Sequence, residues 1–293
     1  MSYMICSDAS MDVDLTKISS REIAFIPMEY MVGEEVRTSV GPESTEVMHD
    51  YYEKLRLKLP TRTSQISFVN YMDYFHPYAE KKQGVLCLCL SSGLSSTYDS
   101  ACLAVKTLKE EYADAEIEVV DTLGATGGMG LLFECAIRNR ENGMSLSQNA
   151  VWLREAAKNI VYWFKVEDLM YLKRGGRVSA ATAVVGTALN IKPILTILGN
   201  GRLESVVNKR GNRLAIREMV NRFSEGFDTN YGNTVYICCG DCMDTAEEFA
   251  KEILAVRPEA EIRITELSPI IGAHTGPDML AVIYFGNNRP EAE

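Results

Sequence analysis

Residues 85–101, VLCLCLSSGLSSTYDSA, constrain the fold of this chain more than any other stretch. The apolar run Val85–Leu90 predicts a short buried strand, five hydroxyl residues and one glycine at 91–97 predict a turn, and a helix follows. Such a turn directs free backbone N–H groups and the positive end of the helix dipole at one point, which suits an anion.

The first charged residue after Leu90 is Asp99, so hydroxyls and amides rather than Lys or Arg would hold this anion. That chemistry favours one carboxylate or a small phosphate over a triphosphate. A serine-rich helix start without any ligand is the alternative that the stretch leaves open.

Strand and helix patterns alternate from the N-terminus to about residue 140, which predicts an α/β fold with a mostly parallel sheet. A hydroxyl-rich turn is expected at 61–67, before an aromatic helix over 68–78. A glycine-rich loop is expected at 121–130, before a helix from Leu131 to Arg138. Ligands of such sheets bind beyond the carboxyl ends of the strands, so these loops could meet at one edge.

Two nucleotide motifs are excluded by spacing. In the glycine loop, Phe133 stands where the third glycine of a dinucleotide fingerprint belongs, and the chain contains no Walker A sequence. A phosphoryl-transfer enzyme that uses this loop therefore ranks last among the possible functions.

The second half of the chain predicts a mixed sheet. A hairpin is expected between 191–197 and 202–208, strands at 160–166, 234–239, 262–267 and 280–285, and a helix of small residues at 179–189. A loop at 269–278 would carry His274. The chain is long for one core, so we predict an N-terminal domain at 1–160, with an αβα arrangement around the parallel sheet, and a C-terminal mixed α/β domain at 161–293.

Bulk properties narrow the function classes. The 293 residues carry a formal net charge of −10, which argues against general binding to nucleic acid or anionic membranes. No apolar run is long enough for a transmembrane helix, so no stable membrane insertion is expected. The first ten residues, MSYMICSDAS, have no basic segment of a signal peptide, so a cytoplasmic protein is expected.

Cysteine spacing gives little support for a metal. Of the eight cysteines, Cys239 and Cys242 form one CxxC, but no second pair exists at ligand spacing and no histidine lies nearby in sequence. We therefore expect no metal and no cofactor. A redox role for the CxxC is a minor alternative to a strand end that happens to be rich in cysteine.

Charge is concentrated in one window. Residues 168–217 hold nine basic and two acidic residues, in a chain whose net charge is negative. This window is either a solvated face or a surface that docks a partner and steers an anion. Lys173, Arg174 and Arg202 are the candidate docking residues.

Six motifs, in order and almost end to end, resemble the DegV family, which includes the fatty-acid-binding subunits of bacterial fatty acid kinase. The motifs are Ser7-Asp8-Ala9-Ser10, Thr63-Ser64-Gln65, the run from Leu90 to Thr97, Leu169 to Arg177, Leu189-Asn190-Ile191-Lys192-Pro193-Ile194 and His274-Thr275-Gly276-Pro277. Two positions depart from the family pattern, since Ser96 and Asp278 stand where glycine is usual.

The resemblance implies a two-domain α/β protein that buries one long-chain fatty acid in an apolar tunnel. Thr63 and Ser95 would bind the carboxylate and His274 would complete the site, with Arg177 or Arg174 adding charge nearby. Ser64 and Ser92, in the same motifs, are further binding candidates. The helices at 68–78 and 179–189 are our predictions for the tunnel walls.

In the family, the binding subunit presents the carboxylate to a separate ATP-dependent kinase that makes an acyl phosphate. By that resemblance, the catalytic subunit of a fatty acid kinase is the expected partner, and this chain would be a carrier rather than an enzyme. The competing hypothesis is a serine hydrolase or acyltransferase with Ser95 as nucleophile and His274 as base. Ser95 does not lie in a GxSxG elbow, which weighs against that hypothesis.

Overall fold

The computed structural model describes residues 3–16, 24–179 and 190–292. The strands are β1 (Met4–Asp8), β2 (Ala24–Ile26), β3 (Met28–Val32), β4 (Glu35–Ser39), β5 (Thr61–Thr63), β6 (Val85–Cys89), β7 (Ile117–Asp121), β8 (Ile160–Lys165), β9 (Ile191–Ile197), β10 (Leu203–Arg210), β11 (Thr234–Cys239), β12 (Glu261–Glu266) and β13 (Leu280–Phe285). The helices are α1 (Thr45–Arg56), α2 (Phe68–Glu80), α3 (Thr97–Glu111), α4 (Thr126–Glu141), α5 (Leu146–Ala157), α6 (Met170–Arg174), α7 (Asn212–Gly226), α8 (Met243–Val256) and α9 (Pro269–Thr275).

The N-terminal part contains a four-stranded parallel sheet in the order β2-β1-β6-β7. Every residue of β6 is buried, as expected for a central strand covered on both faces. The α/β prediction is therefore confirmed. Asp8, at the end of β1, accepts a hydrogen bond from the Leu90 amide at 2.7 Å, which holds the end of β6 against its neighbour.

A small antiparallel sheet, β4-β3-β5, was not expected. The predicted hydroxyl-rich turn at 61–67 is wrong over its first three residues, because Thr61–Thr63 form β5 and pair with Tyr30–Val32 of β3. Threonine is β-branched and fits a strand as readily as a turn, so its hydroxyl was a misleading signal. This pairing places Thr63 beside α9.

The C-terminal part contains a six-stranded mixed sheet in the order β10-β9-β8-β13-β11-β12. Among the described strands of this sheet, only β11 and β12 pair in parallel, and the predicted β9–β10 hairpin is confirmed. Strand β8 is buried on both faces because Tyr162 and Phe164 join the core shared with the first sheet, while Val161 and Trp163 join the core under α7 and α8. The expected mixed α/β arrangement is thus present.

Helix α4 packs against strands of both sheets, and its glycines allow that close approach. A Cβ atom on Gly128 would lie 2.1 Å from the Tyr162 hydroxyl, and one on Gly127 would lie 2.6 Å from Cβ of Tyr236. The prediction of a loop that runs to Gly130 is therefore wrong, because the helix already starts at Thr126 and Gly127, Gly128 and Gly130 lie in its first turns. Its glycines serve packing of a helix on aromatic strands.

Within the described ranges, no helix is long and apolar enough to cross a membrane. Most of the small-residue helix expected at 179–189 lies outside the described residues. The division of the chain at residue 160 stays a prediction, although β8, which begins there, is the first strand of the second sheet.

Candidate functional site

A cavity of about 450 Å³ lies among residues of the six-stranded sheet, the small β4-β3-β5 sheet, α9 and the loops that follow β6 and β7. Most of its wall is apolar: Met28, Leu90, Leu94, Ala125, Tyr162, Phe164, Leu172, Ile197, Leu203, Ile270, Ile271, Met279, Ala281 and Ile283. No residue of α2 lines it, so the predicted tunnel wall at 68–78 is wrong. The aromatic residues Tyr71 and Phe75 of that helix are buried in the core instead.

The polar part of the wall brings together residues that are far apart in sequence. All six predicted binding residues line this one cavity: Thr63, Ser64, Ser92, Ser95, Arg177 and His274. Ser64 and Ser92 are exposed, whereas the other four are half-buried. Gln65, Ser96, Thr126 and Thr275 also line the cavity, which sequence reasoning did not anticipate as a set.

His274 lies on the short helix α9, so the prediction of a loop there is wrong. Its Nε2 atom is 2.8 Å from Oγ1 of Thr63. Its Nδ1 atom is buried without a hydrogen-bond partner, against Gly175, where a Cβ atom would lie only 2.1 Å away. Glycine at 175 is therefore what leaves room for the imidazole.

Burial, together with the charge of Arg177, lowers the pKa of His274 to about 4. The ring is neutral at pH 7 and carries one N–H. A buried donor without a partner costs more than a buried bare acceptor, so the proton belongs on Nε2. In this tautomer Nε2–H donates to Thr63, and the Thr63 hydroxyl proton is free to donate into the cavity.

Ser95 occupies the turn before α3. Its Oγ accepts a hydrogen bond from the Thr97 amide at 3.3 Å and lies 3.0 Å from the Thr97 hydroxyl. Among the described residues, Ser95 makes no hydrogen bond with His274, which is bonded to Thr63 instead. The nucleophile–base contact that a serine hydrolase needs is thus not made.

Arg177 carries a half-buried guanidinium at the cavity wall. It donates to the carbonyl oxygens of Leu94, at 3.1 Å, and Gly175. No carboxylate of the described residues forms an ion pair with it, and burial lowers its pKa from the ordinary value. A cation without a counter-ion beside an apolar cavity favours an anionic ligand.

Asp12 is a buried carboxyl group that sequence reasoning missed as part of this region. It accepts hydrogen bonds from Oγ1 of Thr126 at 2.5 Å and from the Ser268 amide at 2.8 Å, just before α9. Burial raises its pKa to about 7. Asp12 thereby ties the loop after β1 to the starts of α4 and α9, and so sets the position of His274.

The three predicted docking residues lie in different surroundings, and Lys173 and Arg174 line neither the cavity nor the depression beside it. The Arg174 guanidinium lies 4.6 Å from the centre of the Tyr171 ring, and Lys173 is half-buried. Arg202 is exposed and lines a second depression, of about 530 Å³, that shares Leu94, Arg177 and Leu203 with the cavity.

The two departures from the family pattern have separate structural accounts. Ser96 has φ −79°, so its backbone does not need glycine, and its side chain lies at the cavity rim. Asp278 has φ +59°, which explains why glycine suits that position. The aspartate is held there by an ion pair with Arg56 at 3.2 Å.

One convergent group of metal-ligand types occurs in the described part of the chain, formed by His49, Glu53 and Asp241. His49 bonds Asp241 at 3.0 Å, and Arg56 forms ion pairs with both acids. The arginine supplies the positive charge that a metal would bring, so this group is a surface ion-pair network.

Comparison with known proteins agrees with these features. The sequence profile of one family, described as "Uncharacterised protein, DegV family", matches residues 2–287. A fatty acid-binding protein of Thermotoga maritima is 32% identical over 285 residues, covering 94% of this chain and 95% of that protein.

Two solved structures share the fold. One, described as showing fatty acid binding of a DegV family protein from Thermus thermophilus, is 26% identical, with a TM-score of 0.84 over 98% of this chain and all of that one. The other is the Streptococcus pneumoniae fatty acid kinase B3 protein loaded with linoleic acid. It is 19% identical, with a TM-score of 0.85 over 98% and 100% of the two chains, and shows the likeness of fold alone.

Proposed function

This chain belongs to the DegV family, and from that premise we propose that it binds one long-chain fatty acid and presents its carboxylate to a partner kinase. The observation that carries the proposal is the Thr63–His274 pair beside Arg177, which forms no ion pair with the described residues, in the wall of a mostly apolar cavity. The fatty acid-binding relatives and the fatty acid kinase subunit of the same fold support it.

The carboxylate is held by hydroxyl groups rather than by a bidentate arginine pair. The Thr63 hydroxyl, oriented by His274, donates one hydrogen bond and the Ser95 hydroxyl donates another. Arg177 balances the charge from the side while its N–H groups remain partly engaged by backbone carbonyls. A carboxylate held this way keeps a lone pair available to attack a phosphoryl donor.

The acyl chain supplies most of the affinity. Burying ~15 methylenes at ~0.8 kcal/mol each yields a gross term of about 12 kcal/mol before ordering costs. The cavity of about 450 Å³ is within the usual size range of small-molecule sites. Most of its lining is apolar, which suits an acyl chain.

The proposed kinase partner would reach the carboxylate from the side of Arg202 and the second depression. This depression meets the cavity at Arg177, so a phosphoryl donor there would face the carboxylate. The chain itself acts as carrier, since it offers no nucleophile–base pair in the described residues of the site.

Ligand identity is tested directly by organic extraction of the purified protein followed by mass spectrometry. We expect one long-chain fatty acid per chain, or tight binding when one is added to delipidated protein. Absence of lipid, together with no binding on addition, contradicts the proposal.

The binding role of Thr63 is tested by Thr63→Val. Losing a hydrogen bond to a charged ligand group costs about 1.5–3 kcal/mol, so affinity should fall roughly tenfold or more. Thr61→Val is the matched control: it lies on the same strand, its hydroxyl bonds the Met31 carbonyl at 2.9 Å, and it does not line the cavity. Equal affinities of the two variants would remove Thr63 from the site.

The docking role is tested by charge reversal at Arg202, assayed as acyl phosphate formation with a fatty acid kinase catalytic subunit and ATP. Arg202→Glu should slow turnover while fatty-acid affinity stays unchanged. Arg213→Glu, a reversal in the same basic window at an exposed position outside both depressions, is the control. Unchanged turnover in Arg202→Glu would mean that Arg202 is merely solvated.

A further inference from the structure

Two cysteines meet at the junction of β11 and α8. Cys239 is the last residue of β11 and is fully buried, whereas Cys242 is the N-cap residue of α8 and is partly exposed. Gly240 and Asp241 form the tight connection between them, with Asp241 at φ +55°. Both thiols are free, and Cys242 packs against the hydrophobic cluster that contains Cys239.

A nearby ammonium group and a helix start favour a thiolate at Cys242, against the hydrogen bond that its thiol donates to the Met279 carbonyl. Its Sγ lies 3.4 Å from the Met279 carbonyl, and the ammonium group of buried Lys165 donates to the preceding carbonyl, of Asp278, at 2.9 Å. The thiol and the ammonium group therefore contact the carbonyl groups of two adjacent residues, Met279 and Asp278. Helix α8, with 14 residues, adds the positive end of its dipole at the same point.

The two thiols are differentiated in the way that an attacking and a resolving cysteine require. The neighbouring Cys239 thiol and the charge of Lys165 lower the pKa of Cys242, against burial, which raises it. The Cys242 sulfur, together with burial, raises the pKa of Cys239. Asp278 acts in the opposite direction on Cys242, but it is engaged by Arg56.

We propose that Cys239 and Cys242 form a reversible dithiol–disulfide site that reacts with small disulfides, with Cys242 as the attacking thiol. The Cys242 thiolate bonds to one sulfur of the reagent and expels the other half as a thiolate. Cys239 then loses its proton to solvent, attacks the Cys242 sulfur and expels the second half. Two electrons pass from the cysteines to the reagent, and one intramolecular disulfide remains.

This site is separate from the carboxylate-binding residues but adjoins the wall of the cavity. Met279 lines the cavity, and its carbonyl also accepts the Gly240 amide at 2.9 Å. Disulfide formation removes the thiol hydrogen from this carbonyl and leaves the amide as its remaining donor among the described contacts. Oxidation therefore removes a hydrogen bond from the segment that follows α9, the helix that carries His274.

The test uses the full chain and the aromatic disulfide 5,5′-dithiobis(2-nitrobenzoic acid), on a Cys102→Ser background. Cys102 is the other partly exposed cysteine, and burial raises its pKa. The dithiol should release two equivalents of the chromophore in its fast phase and leave a peptide about 2 Da lighter, as a disulfide demands. Cys239→Ser should release one equivalent and retain the mixed disulfide on Cys242.

The chain with Cys102 intact provides the comparison of rates. Cys242 should react faster than Cys102, because the Lys165 ammonium and the start of α8 favour its thiolate, whereas burial disfavours the thiolate of Cys102. Peptide mapping of the wild-type chain decides the matter even if a serine variant fails to fold. Faster labelling of Cys102, or a fast phase without the internal disulfide, would overturn the proposal.

Discussion

Gly175→Ala tests the arrangement of the site without altering any polar group in it. The backbone at 175 has φ −70°, which alanine adopts freely, so the substitution acts through its methyl group alone. That methyl group would lie 2.1 Å from Nδ1 of His274, and ordinary contact begins near 3.4 Å, so the ring must retreat by about 1.3 Å. A displacement of that size takes Nε2 away from its 2.8 Å position at Thr63.

The expected cost follows from the lost hydrogen bond. With one neutral hydrogen bond worth about 0.5–1.5 kcal/mol and the freed groups left partly buried, fatty-acid affinity should fall roughly tenfold. Isothermal titration of delipidated protein with a long-chain fatty acid measures this change. Circular dichroism should report an unchanged fold, because the disturbance is confined to one side chain.

A double-mutant cycle isolates the mechanism. In a His274→Ala background the methyl group added at position 175 meets no imidazole, so Gly175→Ala should then have almost no further effect on affinity. Wild-type affinity in the single variant, or an equal loss with and without His274, would refute the reasoning.

Three further outcomes are expected. The pKa of His274 is lowered from 6.5 to about 4, so the stability that the neutral ring contributes is complete above pH 6.5 and is lost as the pH falls toward 4. In urea titrations, His274→Gln should therefore gain stability relative to wild type as the pH falls across this range. A stability difference that stays constant with pH would contradict this prediction. The pKa of Asp12 is raised from 3.8 to about 7, so the stability that the protonated carboxyl group contributes is lost as the pH rises through that window. The stability of Asp12→Asn relative to wild type should therefore increase as the pH rises toward 7. Plots of unfolding free energy against pH that run parallel for the two proteins would contradict this prediction. A Cβ atom on Gly93 would lie 2.6 Å from the Gly201 carbonyl oxygen, which is a backbone atom and cannot move aside easily. Gly93→Ala should therefore lower the free energy of unfolding by about 1–3 kcal/mol. An unchanged urea midpoint would show that the serine turn and the hairpin do not pack together in this way.

The glycines at 93 and 201 show how local and tertiary information differ here. From sequence, Gly93 is one flexible residue in a serine-rich turn. In the structure, the turn packs on the hairpin between β9 and β10, with Ser91 Oγ donating to the Gly201 carbonyl at 2.8 Å. The pairing of two segments about a hundred residues apart explains why Gly93 lacks a side chain, whereas Gly201, at φ +78°, also needs glycine for the conformation of its own turn.

Sequence alone determined the α/β class, the mixed sheet of the second half and most of its strands, and the motifs of the family resemblance supplied six of the ten polar residues that line the cavity. These follow from hydrophobic periodicity, turn chemistry and ordered motifs, which are local properties of the chain. Tertiary structure alone decided that Thr63 lies on a strand and His274 on a helix, that the two are bonded, and that α2 is not a cavity wall. Pairing between distant segments sets those features, because a strand or a cavity wall depends on the partner it packs against.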